Sequence, residues 1–173
     1  TSASGVPSWL ADGTTGQVLT ATTGSPPSWA AAPGAGLTIA TVTWTNANLK
    51  AGTSQLIIAA QGASTVIVVV SAFFKLDYGG TNAFTNAPTS MLNYGSSQGT
   101  AGILSGPGSA DTTWWETTAS RYWQNSSTLT LNHTTTSMEN TAVYATLSTA
   151  VTGNAAGNNT VQVQILYYVT TIS

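Results

Sequence analysis

From Leu37 to the C-terminus the apolar residues recur at every second position or in continuous runs, and nowhere hold a 3.6-residue period for long. That pattern admits strands and gives no amphipathic helix. Leu37, Ile39, Thr41, Thr43 and Thr45 alternate with Thr38, Ala40, Val42 and Trp44, and β-branched residues of this kind suit a pleated, half-buried surface. Gln55 to Ala60 reads as a second strand. Thr65 to Tyr78 reads as a long one, whose run Val66-Ile67-Val68-Val69-Val70 fits a central strand covered on both faces. Gly79-Gly80-Thr81-Asn82 interrupts it. Further strands are expected at Ser90 to Tyr94, Ala101 to Leu104, Thr112 to Thr117, Thr128 to Asn132, Ala142 to Ser148 and Val161 to Thr170, with loops at Gly106-Pro107-Gly108 and Thr152 to Asn159. In the last strand Val161, Val163, Ile165, Tyr167 and Val169 share a core face. Gln162, Gln164, Leu166, Tyr168 and Thr170 share the other, which suits a subunit contact as well as solvent. About eight or nine short strands with frequent turns predict an all-β fold, a jelly-roll-like β-sandwich, with no helix.

Residues 1–36 differ in character. They are dense in Gly, Pro, Ala, Ser and Thr, and they cannot build a core alone. Gly5-Val6-Pro7-Ser8-Trp9 returns as Gly24-Ser25-Pro26-Pro27-Ser28-Trp29, with the Pro-Ser-Trp triplets 20 residues apart and Gly16-Gln17-Val18-Leu19-Thr20 between them as a short strand-like piece. Repeats of this length bury apolar residues only against a neighbour, and the neighbour expected is another copy of the chain. Trp9, Val18, Leu19 and Trp29 are then the oligomer interface. The competing reading is a flexible Gly/Pro linker with two chance triplets. The division expected is an extended repeat segment, serving as stalk or attachment arm, over 1–36 and a β-sandwich domain over 37–173, with Pro33-Gly34-Ala35-Gly36 as the boundary.

Charge is scarce. Three basic and five acidic residues in 173 give a net charge of −2, where an ordinary domain carries about a quarter charged residues. With so few cations there is no basic surface for nucleic acid, and no phosphate-binding glycine loop is visible. The longest apolar run, Val66 to Phe74 broken by Ser71, is too short to cross a bilayer as a helix, so no membrane insertion is expected. Nothing at the N-terminus reads as a signal peptide. Six Trp and six Tyr, with 42% hydrophobic residues, argue against disorder. The absence of Cys removes disulfides, thiol nucleophiles and thiolate metal ligands together.

Charge and aromaticity meet in one place. Asp111-Thr112-Thr113-Trp114-Trp115-Glu116, followed by Arg121-Tyr122-Trp123, concentrates three Trp, one Tyr and three charges in 13 residues. Aromatic faces beside carboxylates suit sugar rings, which makes Trp114, Trp115, Glu116, Tyr122 and Trp123 a candidate glycan-binding set. Aromatic residues and Arg are equally enriched in interface cores, and burial in the sandwich end or a subunit seam is the competing reading. A glycosidase would need two carboxylates about 5 to 9 Å apart across a cleft; five scattered acids give no such pair by design, and no catalytic residue is assigned. His133 is the only His, so neither a triad nor a His-based metal site can be assembled. Asp77 beside Gly79 to Asn82 invites comparison with a Ca²⁺ loop, but an Asx-turn accounts for it. No metal and no cofactor is expected. The sequons at Asn125, Asn132 and Asn158 are what a chain this rich in Asn, Ser and Thr produces by chance.

The stretch Gly16-Gln17-Val18-Leu19-Thr20, with Gly24, Pro27 and Trp29, resembles the GQVL…G…P-x-W repeat of tail-fibre and other surface proteins of tailed bacteriophages. The body resembles small β-domains of phage virion proteins, through Ala60-Gln61-Gly62-Ala63-Ser64-Thr65-Val66-Ile67-Val68-Val69 and then Lys75-Leu76-Asp77-Tyr78-Gly79. Leu92-Asn93-Tyr94-Gly95 and Thr152-Gly153-Asn154-Ala155-Ala156, with Val161, Val163, Tyr167 and Tyr168, extend the likeness. Gly106 to Trp123 fits neither pattern. The resemblance implies a structural, non-enzymatic virion protein at the particle surface, homotrimeric, acting as a capsid decoration, head fibre or cement protein. Its partners would be its own copies and other virion proteins such as the major capsid protein. The alternative is the receptor-binding tip of a tail fibre, recognising a host surface polysaccharide.

Overall fold

The chain falls into two units, residues 1–35 and 36–173. The computed structural model describes Asp12, Thr14 and residues 17–21, 23–31, 36–98, 102–108, 110–126 and 138–172. Trp9, His133 and the strand expected at Thr128 to Asn132 lie outside the described residues.

In the first unit β1 (Gln17–Thr20) pairs antiparallel with β2 (Ser28–Ala31), which sets Leu19 opposite Trp29 and Val18 opposite Ala30. Gly24 turns the chain between them with φ +84°, a left-handed conformation that costs glycine nothing. The Thr20 hydroxyl donates to the Ser28 carbonyl at 3.0 Å and closes the hairpin.

The second unit contains β3 (Thr38–Trp44), α1 (Asn46–Lys50), β4 (Gln55–Ile58), β5 (Thr65–Asp77), β6 (Ser90–Tyr94), β7 (Gly102–Ser105), α2 (Thr112–Trp115), β8 (Arg121–Ser126), β9 (Val143–Leu147) and β10 (Thr160–Thr171). Pairing is antiparallel and nested. β3 pairs with β10, β4 with β9, β5 with β8 and β6 with β7. The bonds β5–β10 and β6–β9 then close two four-stranded sheets, β3-β10-β5-β8 and β4-β9-β6-β7. First with last, second with penultimate, and so inward, is the jelly-roll order. The unit is an all-β sandwich.

Alternation decides which residues enter the core. In β10 Val161, Val163 and Ile165 are buried, and in β5 Ala72, Phe74 and Leu76 are buried opposite Ile165, Val163 and Val161. Ala40, Val42 and Trp44 bring the inner face of β3 to the same core. An extra residue, Val70, sits where the β5–β10 register shifts between Leu166 and Tyr167; this bulge switches the inward positions of β5 from Ala72, Phe74 and Leu76 to Ile67 and Val69, opposite the unbroken alternation of Tyr167 and Val169 in β10. Val66 and Ile67 are adjacent and both buried. Further along, β5 is covered on one face only, so the long apolar run is doubly buried just at its start.

Three expectations are corrected. Thr112 to Thr117 is no strand: Thr112–Trp115 form the single-turn helix α2, closed by Trp115 and Glu116 amides donating to the Asp111 and Thr112 carbonyls at 3.2 and 2.7 Å. A strand would send Trp114 and Trp115 to opposite faces, whereas successive residues of a helical turn diverge by only about 100°. Both indoles therefore reach the core, where Trp115 meets Phe84 edge-on. The chain also has a second helix, α1, whose N-cap Thr45 accepts a hydrogen bond from the Asn48 amide at 3.3 Å. Finally, Arg121 to Ser126 was not expected to be extended, yet it forms the edge strand β8.

One end of the sandwich is tied by asparagines. Asn154, in the left-handed region at φ +41°, is buried with all four side-chain hydrogen-bonding positions in use. Its Oδ1 accepts from Asn46 Nδ2 at 2.6 Å and from the Asn159 amide at 3.1 Å. Its Nδ2 donates to the Asn82 carbonyl and to Asn158 Oδ1, the latter at 3.1 Å. Asn159 Oδ1 accepts from the Gly79 amide at 2.9 Å, and Asn158 Nδ2 donates to the Gly79 carbonyl at 2.7 Å. The Lys75-Leu76-Asp77-Tyr78-Gly79 segment and the Thr152–Asn159 loop are thus one hydrogen-bonded knot.

Candidate functional site

The aromatic segment 111–123 does not present its rings together. Trp114 and Trp115 are 5% and 1% exposed, stacked edge to face with centroids 4.8 Å apart, and Trp123 packs partly buried against the same core. Their indole Nε1 atoms are buried and find no acceptor among the described residues. Tyr122, by contrast, is 63% exposed on the opposite face of β8, and Glu116 is exposed beyond the end of α2. Of the five residues in the glycan-binding set, Tyr122 alone offers an open ring. Trp114 and Trp115 have no face left for a sugar, because they fill the sandwich instead.

The acids do local work. Asp77 pairs with Lys75 at 2.6 Å on the outer face of β5, and this hydrogen bond is the main reason the ammonium is held above its usual pKa. The Asp111 carboxylate accepts from the Gly108 amide at 2.9 Å. The Glu139 carboxylate accepts at 2.7 Å from the amide of Ser64, whose φ of +57° it helps to hold. Among the described residues no three His, Cys, Asp or Glu side chains gather as a metal site would require.

Among the described residues two apolar surfaces stand out. On the first unit, Leu19 and Trp29 stand opposite each other on one face of the hairpin, 53% and 37% exposed. Val18 takes its place in β1, and Trp9 lies outside the described residues.

On the second unit, no other described strand of that unit lies over the outer face of β3-β10-β5-β8. Register places Ile39, Leu166 and Ser71 in one row, Thr41, Gln164, Phe73 and Gln124 in the next, and Thr43, Gln162, Lys75 and Tyr122 in a third. Phe73 and Tyr122 are in ring contact at 5.3 Å. A groove of about 300 Å³ runs between Ile39, Phe73, Gln124, Gln164 and Leu166.

No family model and no curated protein matches this chain. Among solved structures, the cyanophage Pam1 capsid asymmetric unit aligns over 86% of this chain and 93% of that one, with 18% identity and a TM-score of 0.38. A likeness at that level fixes neither fold nor function.

The open sheet face was only half visible in the sequence. Alternation in the last strand separates Gln162, Gln164 and Leu166 from the core residues, but Phe73 is hidden in a continuous apolar run and Tyr122 was grouped with its buried neighbours. Chemically, both surfaces offer burial and backbone or amide hydrogen bonds. The sheet face also carries the Lys75–Asp77 ion pair at 2.6 Å.

Proposed function

We propose that this chain is a structural, non-enzymatic protein of a bacteriophage particle, displayed at the virion surface as a homotrimeric capsid decoration, head fibre or cement protein. The observation that carries this reading is the Leu19–Trp29 pair, two large apolar side chains held opposite each other and exposed on a two-strand hairpin. A hairpin of that size is marginal by itself, and fully burying a Leu-sized side chain stabilises by about 1.5 to 3 kcal/mol. Three hairpins meeting at an axis bury these exposed faces against one another. The resemblance of Gly16–Thr20 with Pro27 and Trp29 to phage fibre repeats, and of the Lys75–Gly79 and Thr152–Ala156 segments to virion β-domains, supports the same assignment. So does the placement of Asp77, Asp111 and Glu139, each engaged in a local structural contact.

Native mass spectrometry of the full chain tests the assembly: a copy number divisible by three is expected, and Leu19→Ser combined with Trp29→Ser removes that factor of three. A monomer, or a double variant that assembles unchanged, overturns the trimer. Immunogold labelling of intact particles tests the location, and labelling only after disruption would remove the protein from the surface.

A further inference from the structure

Among the described residues, the four edge strands of the sandwich are not alike. β4 and β7 are four residues long and their registers shift, between Leu56 and Ile58 and between Leu92 and Asn93 respectively. β8 opens on Arg121. Short length, irregularity and charge are the usual ways a sheet edge is blunted against pairing with another chain. β3 has none of them. It runs seven residues, Thr38-Ile39-Ala40-Thr41-Val42-Thr43-Trp44, without charge, proline or register shift. Among the described residues it pairs on one side only, with β10. Leu37, just before it, and Ile39, within it, are 59% and 62% exposed.

We infer that the free edge of β3 joins two copies of this chain, β3 against β3 about a two-fold axis at Thr41, so that two four-stranded sheets become one of eight. Antiparallel pairing centred on Thr41, the midpoint of the strand, sets Thr41 opposite its own copy, Ala40 opposite Val42, and Ile39 opposite Thr43. Like charges directly opposite each other destabilise a strand pair, while Thr–Thr and aliphatic pairs stabilise it. A strand that pairs with itself must therefore be uncharged near the axis, and β3 is uncharged throughout. The nearest ion pair on that face, Lys75 with Asp77, is neutralised within one chain, so the two faces do not repel. A two-fold contact of this kind is self-complementary and uses no residue of the first unit. It goes beyond the trimer proposed above and does not depend on it.

The test uses the full chain and two variants at an exposed position, Thr41→Lys and Thr41→Glu. Each alone sets like charges face to face across the axis, and each is expected to halve the copy number seen by native mass spectrometry, with the circular dichroism spectrum unchanged. Mixed one to one, they place Lys opposite Glu and are expected to restore the wild-type copy number as a mixed assembly. The factor of two is lost here and the factor of three with Leu19→Ser and Trp29→Ser, so the two assignments fail separately. A copy number untouched by Thr41→Lys overturns the proposal and leaves the edge to a strand of a different protein. Loss without rescue in the mixture overturns the two-fold register.

Discussion

The Asn46 amide donates to the carboxamide oxygen of Asn154 at 2.6 Å, joining residues 108 positions apart where the first helix, the Gly79–Asn82 turn and the Thr152–Asn159 loop converge. A buried amide with every position satisfied holds its neighbours in one arrangement, and leaving such groups unpaired costs about 1 to 3 kcal/mol each.

Asn154→Asp should therefore be more damaging than its single-atom change suggests. It replaces a two-proton donor with an acceptor facing the Asn82 carbonyl and Asn158 Oδ1. A loss of about 2 to 4 kcal/mol in chemical denaturation is expected. A change below 1 kcal/mol would show that the knot is not a stabilising element.

Gly153→Ala should also destabilise, for a separate reason. Gly153 has φ +81°, and an added Cβ would come within 2.8 Å of Thr85 Cγ2 and 2.9 Å of the Thr85 backbone nitrogen. Strain of about 1 to 3 kcal/mol is expected from the backbone conformation alone. Gly80→Ala, at φ +88° with open space around it, separates conformational strain from collision: it should cost less than Gly153→Ala, and the reverse order in melting temperature would contradict this.

The tryptophans make a matched comparison. Trp44 and Trp115 are both fully buried, but Trp44 Nε1 donates to the Thr53 carbonyl at 2.9 Å whereas Trp115 Nε1 has no acceptor among the described residues. Replacement by Phe leaves a cavity at either site. At Trp44 it also abandons a hydrogen bond, so Trp44→Phe should cost about 1 kcal/mol more than Trp115→Phe. Equal costs in urea unfolding would mean that the Trp115 indole does have a partner.

Tyr94 predicts the alkaline limit of stability. Burial, and secondarily the nearby Tyr168, pushes its hydroxyl up to about 12 from 10.0, while the hydroxyl donates to the Ile67 carbonyl. The protonated form is favoured in the fold, so the contribution is whole below pH 10 and declines between 10 and about 12 as the unfolded chain ionises first. The slope attributable to this group is about 1.4 kcal/mol per pH unit. Tyr94→Phe should be less stable at neutral pH and should lack that slope. An identical pH profile in the variant would assign the alkaline transition elsewhere.

Much of the sandwich could be read from alternation, because β3 and β10 turn alternate residues toward the core. α2 could not. Thr112-Thr113-Trp114-Trp115 has strand-like composition, and the demand that both indoles enter one core is a tertiary fact. β8 was missed because Arg121, Gln124 and Asn125 look like a loop, although Trp123 turns inward and Tyr122 and Gln124 turn outward as a strand requires. The candidate surfaces split the same way. Leu19 and Trp29 were legible as large apolar residues in a segment dense in Gly, Pro, Ala, Ser and Thr. The knot was illegible, since Thr152–Asn159 reads as loop until its partners, more than 70 residues away, are in place.

The three basic residues, Lys50, Lys75 and Arg121, each sit inside a regular element: the end of α1, the last part of β5 and the start of β8. The peptide bond after Lys50 is itself engaged, with the Ala51 amide donating to the Ala47 carbonyl at 2.9 Å. A trypsin-like protease needs an extended, detached stretch of chain, so none of these bonds is open to it until an element leaves the sandwich. Where opening and closing are fast, cleavage then follows the equilibrium population of the open form. Digestion of this protein becomes a clock for unfolding, and outside a cell, where proteases are plentiful and resynthesis is absent, the same feature sets how long the molecule lasts.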